Sequence, residues 1–170
     1  PDTIICCGNA ALRAHAKIGY QRCKLRVIFN GYDISRFYPN ALTRAETRKS
    51  LGLRHDEFVL GNVSRFDPNK DHINLLRALH ILRNTNIKFR CLLVGKDIEN
   101  NNHQLGRLIS QFDLEDKVML LGQRDDISAI MNALDVHVLS SLSEGFPNVV
   151  AEAMACGVIP VSTNVGDAYE

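Results

Sequence analysis

Two glutamates, Glu144 and Glu152, lie eight positions apart in a segment where a loop leads into a helix. Residues 135–140 ahead of them have the apolar pattern of a buried strand. Pro147 suits the first turn of a helix, where its missing N–H costs nothing, and Gly157 is a typical helix stop. A carboxylate inside a helix can accept two hydrogen bonds from a vicinal diol such as that of ribose, each contributing about 1.5–3 kcal/mol. We therefore expect Glu152 to bind a sugar diol and Glu144, in the loop, to face a more distant group of the same ligand.

Each glutamate also has a simpler interpretation. An acid just ahead of a helix is favoured by the helix dipole alone, by about 0.3–1 kcal/mol, and Glu152 alternatively lies on a solvated helix face. The neighbours of Glu152 are unusually apolar for a free carboxylate: Val149, Val150, Ala151, Ala153 and Met154. Backbone N–H groups at a helix start can in addition bind phosphate or sugar oxygens.

A second pair of charged residues, Arg65 and Lys70, lies in the polar loop after the predicted strand at residues 58–63. Ligands of open parallel sheets bind where loops leave the carboxyl ends of the strands, so we expect both cations in the same crevice as Glu144 and Glu152. Two cations five positions apart can bracket a diphosphate and neutralise the charge of a departing phosphate. The alternative is an ordinary surface loop with solvated charges.

Several other kinds of site lack their sequence fingerprints. The chain has no glycine-rich dinucleotide or P-loop motif, no Asp-x-Asp pair for a metal–diphosphate and no nucleophile elbow around a serine. The six histidines are not paired at metal-ligand spacing, so no metal site is predicted. Five cysteines without a Cys-x-x-Cys pattern favour a reducing compartment, and no apolar run is long enough to span a bilayer.

The composition is that of an ordinary globular protein of about one domain, with 170 residues, 45% hydrophobic and 23% charged. The net charge of +1 is unevenly distributed, since Lys and Arg outnumber Asp and Glu nine to three in residues 1–50. This basic first part favours an anionic surface such as a membrane, with a solvated basic face as the simpler alternative. We expect no nucleic-acid partner.

Strands and helices alternate along the chain. Apolar runs predict strands at residues 3–7, 25–29, 58–63, 89–94, 117–121, 135–140 and 158–161, and helical spacing predicts helices at 9–18, 43–51, 72–82, 103–112, 126–134 and 147–156. We expect Asn9, Thr43, Asp71 and Asp126 to cap four of the helices, Thr43 together with Glu46 in a capping box. The alternation predicts an α/β fold with a Rossmann-like, doubly wound parallel sheet.

The predicted domain boundary is early. Residues 1–30 supply a strand, a helix and a strand, too little for a domain, and we interpret them as the end of a preceding domain. Residues 31–170 would form the second domain, entered through a segment rich in turn residues. The sequence stops after a predicted strand, where a doubly wound domain would add another helix. We therefore interpret it as a fragment truncated before its last helices.

The segment from Glu144 to Gly157, Glu-Gly-Phe-Pro-Asn-Val-Val-Ala-Glu-Ala-Met-Ala-Cys-Gly, resembles the Glu-x7-Glu signature of family 4 glycosyltransferases. These are retaining enzymes of the two-domain GT-B fold that use sugar nucleotides. Three further segments follow in the family's order. Residues 27–37 resemble the junction between the two domains, residues 64–72 the phosphate-binding Arg/Lys pair, and residues 163–167 the loop after the next strand. The resemblance covers nearly the whole chain.

The resemblance implies roles for the four charged residues. Glu152 would hold the ribose hydroxyls, and Glu144 would contact the donor sugar. Arg65 and Lys70 would bind the diphosphate and assist its departure. One departure from the family pattern is Ser64, because a glycine usually precedes the family's arginine.

The resemblance also implies backbone and base contacts. Amides of Gly145, Phe146 and Asn148 would lie near the donor, and the loop that carries Gly122 and Asp125 would lie by the base. The site would contain no metal.

The implied activity is transfer of a sugar from a nucleotide-sugar donor to an acceptor hydroxyl with retention of configuration, in cell-surface polysaccharide or glycolipid assembly. The donor would be a UDP-, GDP- or ADP-sugar used as substrate, with no separate cofactor. The acceptor, a glycan or a lipid-linked sugar, would be held by the missing N-terminal domain, so the fragment alone is expected to be inactive. The expected location is the cytoplasm, with peripheral association at the inner face of the membrane as an option.

Two other classes of function remain open at this point. One is a nucleotide-binding module without transfer activity. The other is a nucleotide-sugar epimerase or a phosphorylase built on the same two-domain plan. An epimerase would need acid/base residues elsewhere in the chain, and a phosphorylase would need a lysine-bound pyridoxal cofactor.

Overall fold

The strands of the chain form two separate parallel sheets. The computed structural model describes all residues from 1 to 170. The smaller sheet has two strands, β1 (Ile4–Cys6) and β2 (Leu25–Val27), connected through helix α1 (Asn9–Lys17). We call residues 4–27 the small unit. Two strands are too few for a stable sheet in isolation, and the small unit packs against the rest of the chain near Gly145.

The larger sheet has five parallel strands in the order β5-β4-β3-β6-β7. Its strands are β3 (Phe58–Val63), β4 (Phe89–Val94), β5 (Val118–Leu120), β6 (Val136–Leu139) and β7 (Ile159–Ser162). The helices are α2 (Ala41–Ser50), α3 (His72–Arg83), α4 (His103–Gln111), α5 (Ile127–Ala133) and α6 (Asn148–Ala155). One helix connects each strand to the next along the chain, as parallel strands require.

Helices cover both faces of this sheet. Val59 and Val63 of β3 and Leu92 of β4 pack into one core with α5 and α6. Leu60 and Leu93, on the same two strands, pack into a second core with α3 and α4. Successive strand residues point to opposite faces, so this division places a helical layer on each side. The prediction of a Rossmann-like, doubly wound α/β fold is confirmed.

Strand β3 lies between β4 and β6, so the chain builds the sheet outward from β3 to one edge and then returns to start β6 on the other side. At such a switch point the loops after the two neighbouring strands diverge and leave a crevice at their carboxyl ends. The β3–α3 loop (residues 64–71) and the β6–α6 loop (residues 140–147) flank this crevice. They carry Arg65, Lys70 and Glu144.

A buried arginine of α2, Arg48, connects the helix to the sheet at the amino ends of its strands. The Arg48 guanidinium is 3% exposed and donates to four backbone carbonyls and to Asp135 Oδ2 at 2.8 Å. The Asp135 carboxylate also accepts the Val59 N–H at 2.7 Å and the Arg44 guanidinium at 2.5 Å. Burial alone would raise the pKa of Asp135, but these hydrogen bonds outweigh it and lower the pKa. The carboxylate therefore joins α2 to the starts of two central strands.

Two histidines are buried in the part of the chain that forms the larger sheet and its helices. His137, at the centre of β6, is fully buried and its Nε2 accepts the Val63 N–H at 3.4 Å. His72, at the start of α3, is 3% exposed and its Nε2 lies 3.3 Å from Ser64 Oγ. Neither Nδ1 atom has a hydrogen-bond partner. Burial lowers the pKa of each histidine to about 4, so both rings are neutral at neutral pH.

The predicted caps of α1 and α5 are wrong, because neither Asn9 nor Asp126 accepts a capping hydrogen bond. Helix α1 is preceded by Gly8, so Asn9 is inside the helix and is not its cap. The Asp167 carboxylate, distant in sequence, accepts the first N–H groups of this helix. Asp126 does precede α5, but its carboxylate binds the Arg124 guanidinium and makes no capping hydrogen bond.

The cap of α2 is displaced, whereas that of α3 is as predicted. Asn40 precedes α2, and its side chain accepts the Thr43 N–H at 3.0 Å. Thr43 is therefore inside the helix, and the predicted capping box with Glu46 is not formed. Asp71 caps α3 by accepting the Asn74 N–H at 3.2 Å.

The two sheets mark two parts of the chain. β2 ends at Val27 and α2 begins at Ala41, so the predicted boundary between residues 30 and 31 falls in the segment that joins them. The assignment of the two parts to different domains stays a prediction. In neither part does a helix combine the length and the apolar composition needed to cross a membrane.

Candidate active site

Lys70 and Glu144 form an ion pair across the crevice between β3 and β6. Lys70 Nζ lies 2.5 Å from Glu144 Oε1, and the two side chains are 21% and 13% exposed. Ser141 Oγ donates a second hydrogen bond to the same oxygen at 2.7 Å. Charges that are shielded from water attract each other more strongly than exposed ones, so this contact fixes both groups. The other carboxylate oxygen, Oε2, is left without a partner in the protein.

Further contacts hold the two loops together. Ser140 Oγ donates to the Lys70 carbonyl at 2.7 Å, and the Leu142 N–H donates to the Asn69 carbonyl at 2.8 Å. Asp71, directly after Lys70, has a left-handed backbone with φ 46°. Aspartate tolerates this conformation better than most residues because its short side chain can hydrogen-bond locally, here to the start of α3. The turn and the cross-loop contacts together direct the Lys70 side chain toward the β6–α6 loop.

Arg65 lies in the same β3–α3 loop but takes no part in the ion pair. Its side chain is 63% exposed, and its Nε donates to Asp67 Oδ2 at 3.1 Å. The hydrogen bond from the Asn69 N–H lowers the pKa of Asp67 most, and the hydrogen bond from Arg65 lowers it further. The terminal guanidinium N–H groups of Arg65 have no partner in the protein and are open to an anionic ligand. Ser64, where the family usually has glycine, donates its hydroxyl to the buried Asn62 amide at 2.7 Å.

Glu152 is the fifth residue of α6, one turn inside the helix. Its side chain is half-buried and makes no hydrogen bond or ion pair with the protein. Burial raises the pKa of Glu152, and the nearby charge of Arg36 partly opposes this. Burial and then the charge of Glu152 raise the pKa of Tyr32, whose hydroxyl donates to Asn148, four residues before Glu152. An unpartnered carboxylate in this setting is available to accept hydrogen bonds from a ligand.

Arg36 links the surroundings of Glu152 to the loop after β5. Its guanidinium donates to the Asp125 carbonyl at 3.0 Å. In the same loop Gly122 has φ 67°, and its N–H donates to the Ile98 carbonyl at 2.8 Å. A glycine adopts this left-handed conformation without strain. The two residues predicted to lie by a base, Gly122 and Asp125, therefore belong to a loop that Arg36 joins to the Glu152 side of the crevice.

The segment after β2 covers the start of α6. The Phe146 ring packs against those of Phe29 and Tyr32, with ring centroids 5.7 and 6.4 Å away. Asn148 Oδ1 accepts hydrogen bonds from Asn30 Nδ2 at 2.7 Å and from the Tyr32 hydroxyl at 3.2 Å. The Phe146 ring thus serves packing, whereas the exposed Asn148 side chain binds the segment after β2 through Oδ1 and its Nδ2 has no partner in the protein.

Gly145 lies where the β6–α6 loop meets the small unit. A Cβ atom at this position would lie 3.5 Å from Cys7 Sγ and 4.0 Å from Ala11 Cβ. The Gly145 carbonyl accepts the Asp167 N–H at 3.1 Å. The N–H groups of Gly145 and Phe146 donate to no group of the protein. They remain open to a phosphate or sugar oxygen at the helix start.

The structure brings Lys70 and Glu144 into direct contact and places the other predicted site residues in the loops and helix around the same crevice. The role of each of these residues stays a prediction. Sequence reasoning gave no role to Ser141, Tyr32 or Arg36. Ser141 lies three residues before Glu144, a spacing that could have suggested a local hydrogen bond, whereas the contacts of Tyr32 and Arg36 depend on how the chain folds back over α6.

Two cavities differ in their position relative to the crevice. A cavity of about 550 Å³ lies away from the crevice, lined partly by Arg44 and Arg48, whose guanidiniums are already bound to Asp135. A second cavity of about 520 Å³ borders the β3–α3 loop, with Asp67 and Leu142 in its lining. No three His, Cys, Asp or Glu side chains are grouped so that they could hold a metal ion.

Comparison with known sequences identifies relatives of this chain. A family model described as "Glycosyl transferases group 1" matches residues 43–170. The UDP-Gal:alpha-D-GlcNAc-diphosphoundecaprenol alpha-1,3-galactosyltransferase of Escherichia coli is 33% identical over 144 residues, which cover 84% of this chain and 37% of that protein. The D-inositol 3-phosphate glycosyltransferase of Mycobacterium ulcerans is 30% identical over 145 residues, which cover 84% of this chain and 31% of that protein.

Comparison with solved structures gives the same fold. Anabaena Alr3699/HepE in complex with UDP-glucose is similar with a TM-score of 0.88 and 30% sequence identity, covering 99% of this chain and 46% of that chain. The complex of the same protein with UDP gives a TM-score of 0.86. The present chain therefore spans less than half the length of each of these three relatives.

Proposed function

The chain belongs to the glycosyl transferases group 1 family, as the Glu-x7-Glu resemblance predicts, and we propose that it binds the UDP-sugar donor of an enzyme that transfers the sugar with retention of configuration. The choice of uridine is supported by the similarity to Anabaena Alr3699/HepE, whose structure contains UDP-glucose. The donor is a substrate in this proposal, and no separate cofactor takes part.

The Lys70–Glu144 ion pair is the observation that carries the proposal. It places a cation and a carboxylate from different loops 2.5 Å apart at the switch point of the sheet, where ligands of this architecture bind. The unpartnered carboxylate of Glu152 lies one turn inside α6, at the far side of the loop that holds Glu144. A ligand that contacts both ends of this arrangement must offer an anionic group to Lys70 and hydrogen-bond donors to the carboxylates.

A nucleotide-sugar meets these requirements. The ribose diol would donate hydrogen bonds to the Glu152 carboxylate, and the diphosphate would lie between the free N–H groups of Gly145 and Phe146 and the cations of Arg65 and Lys70. Charge-assisted hydrogen bonds of this kind are the strong ones in proteins. The donor sugar would then face Glu144, whose Oε2 has no protein partner.

Catalysis in this proposal is mainly electrostatic. The bond between the sugar and the diphosphate breaks as positive charge develops on the sugar ring, and the departing diphosphate is stabilised by Arg65 and Lys70. The acceptor hydroxyl attacks from the same face, which retains the configuration, and its proton passes to the departing diphosphate oxygen. Glu144 orients the sugar and is not the nucleophile, because its carboxylate is already neutralised by Lys70 and held by Ser141.

We further propose that the acceptor is a glycan or a lipid-linked sugar bound by a part of the protein outside this chain. The E. coli relative, a galactosyltransferase named for a diphosphoundecaprenol acceptor, supports a lipid-linked one. Such an enzyme would work in the cytoplasm at the inner face of the membrane, in the assembly of surface polysaccharide or glycolipid. Nucleic acid is not a partner in this proposal.

The test measures donor binding and sugar transfer by the full-length protein. UDP should bind more tightly than GDP or ADP in calorimetric titrations, and radiolabelled sugar from UDP-glucose or UDP-galactose should reach a lipid-linked acceptor. Glu144→Ala should lower the rate of transfer by about 10²–10³ and leave a residual rate that can be measured, while UDP still binds. Tight UDP binding with no transfer or hydrolysis of any donor would favour a binding module instead, and release of an epimerised donor would favour an epimerase.

A further inference from the structure

The β6–α6 loop packs against the small unit on one side, and one carboxylate from the loop after β7 hydrogen-bonds to the start of α1 there. Asp167, in the loop after β7, has a fully buried side chain. It accepts the backbone N–H groups of Asn9 and Ala10, the latter at 2.7 Å, and lies 3.4 Å from the Arg13 guanidinium. Its own N–H donates to the Gly145 carbonyl at 3.1 Å.

No other group performs this role for α1. The helix has no acidic residue in its first turn, and Gly8 ahead of it has no side chain that could cap it. A carboxylate at a helix N-terminus is stabilised both by hydrogen bonds from the free N–H groups and by the helix dipole. Asp167 supplies this carboxylate from a position 157 residues beyond Ala10. The first turn of α1 is therefore bound to a residue that also contacts the β6–α6 loop.

Two glycines show how closely these pieces approach. A Cβ atom on Gly8 would lie 2.3 Å from Asp167 Oδ2 and 3.3 Å from the Phe146 ring. A Cβ atom on Gly166, whose φ is 58°, would lie 2.5 Å from the Glu144 carbonyl oxygen. Side chains at either position would force the loops apart. The backbone around Glu144 is thus packed directly against Gly166 and Asp167, which are in turn packed against the start of α1.

A second set of contacts joins the same loop to the segment after β2. The ring of Phe146, a residue of the loop, packs against the rings of Phe29 and Tyr32. Asn148, at the start of α6, accepts a hydrogen bond from Asn30. These contacts do not involve Asp167. They show that the segment after the small unit is a second support for the β6–α6 loop and the start of α6.

We propose that Asp167 is a positioning residue for sugar transfer, which sets the placement of Glu144 by tying the β6–α6 loop to the start of α1. This inference rests on the proposed function. A displacement of the small unit relative to the five-stranded sheet would then move the sugar-contacting end of the site more than the ribose end, since Glu152 is held by α6. Asp167 itself touches neither the donor nor the acceptor.

The test uses the full-length enzyme with Asp167→Asn, which keeps the size of the side chain but loses its charge and one acceptor oxygen. The turnover of sugar transfer should fall roughly tenfold, because charged hydrogen bonds are lost. The Kd for UDP should change by less than about threefold. Gly8→Ala, which acts on the same contact from the side of α1, should give the same pattern. Asp56→Asn, an exposed aspartate paired with Arg54, is the matched control and should change neither quantity.

A double-mutant cycle with Glu144→Ala distinguishes positioning from general destabilisation. If Asp167 acts through Glu144, adding Asp167→Asn to Glu144→Ala should cost no further activity. An equal loss in both backgrounds, or unchanged turnover in both Asp167→Asn and Gly8→Ala, would overturn the inference. If Asp167→Asn does not fold, Gly8→Ala alone decides the question. A wild-type protein that neither binds UDP nor transfers sugar would instead remove the proposed function, and this inference with it.

Discussion

The ammonium group of Lys70 and the carboxylate of Glu144 lie 2.5 Å apart although 74 positions separate them in the chain. Neither loop sets this distance alone, because each follows a different central strand. The parallel pairing of β3 with β6, in which Leu60 lies opposite Val136, brings the two loops to the same edge. The contact therefore depends on the centre of the sheet as much as on the loops.

Replacing Lys70 with methionine should remove most of the activity. The change takes the cation out of the crevice and leaves Glu144 with Ser141 as its one remaining partner. Preorganised groups that stabilise developing charge contribute about 10²–10³ in rate, so we expect a loss of this size in steady-state transfer assays of the full-length enzyme. Lys49→Met, on the exposed face of α2, is the control. A Lys70→Met enzyme close to wild type would exclude Lys70 from the diphosphate site.

Glu152→Ala should weaken UDP binding through the ribose alone. Loss of hydrogen bonds to a charged acceptor should reduce the affinity for UDP by roughly tenfold or more. The same variant should bind 2′,3′-dideoxy-UDP as well as the wild type does, since that ligand has no diol. Calorimetric titration of both ligands with both proteins measures the difference, and Glu46→Ala on α2 serves as control. An equal loss for the two ligands would place Glu152 elsewhere than at the ribose.

The buried His137 should make the fold sensitive to mild acid. Its pKa is about 4 in the folded chain, against an ordinary value near 6.5, so between these pH values the unfolded chain binds a proton that the folded chain does not. Stability should therefore fall as the pH drops from 6.5 to 4, by up to about 3 kcal/mol for this histidine. Denaturant unfolding at a series of pH values should show a flatter profile for His137→Gln. The exposed His103→Gln should keep the wild-type slope, and a His137→Gln profile parallel to wild type would contradict the assignment.

Arg48→Met should destabilise the chain without changing the site. The variant leaves four carbonyls and part of the Asp135 carboxylate without their donor, and breaking a buried pair from one side costs about 3 kcal/mol. The free energy of unfolding in denaturant measures this loss. Arg54→Met removes an exposed pair with Asp56 and should cost less than about 1 kcal/mol. Similar losses for the two variants would show that the Arg48 network contributes little.

The central strands could be predicted from the sequence because burial on both faces leaves a clear pattern. Residues 58–63 and 89–94 are mainly apolar, with Asn62 and Arg90 as polar exceptions, and both strands have these limits in the structure. The strand predicted at 117–121 is shorter, Val118–Leu120, because it lies at an edge of the sheet with a partner on one side only. Patterns of this kind predict which residues are buried more reliably than where pairing ends.

The helix caps show what local sequence does not contain. Thr43 and Asn40 are both common capping residues, and the contact of the chain with Asn132, which accepts the Asn40 N–H at 2.7 Å, helps to start the helix after Asn40. The carboxylate at the start of α1 comes from Asp167, near the other end of the sequence. Neither choice follows from the residues next to the helix.

The site could be predicted as a set of loops but not as a set of contacts. Their positions in loops after predicted parallel strands placed Lys70 and Glu144 at one edge of the sheet, whereas their direct pairing depends on side-chain reach across the crevice. The link from Arg36 to Asp125 joins residues 89 positions apart and has no local signal. Long-range polar contacts of this kind need the packed structure.

The strand order also determines when the crevice can form during synthesis. β3 is the first strand of the larger sheet to leave the ribosome, yet it lies in the middle, with β4 and β5 added on one side and β6 and β7 on the other. A nascent chain can therefore add each new strand to an exposed edge without inserting it between strands that are already paired. Lys70 emerges long before its partner, and the binding crevice acquires its second wall only after β6 has joined the growing sheet.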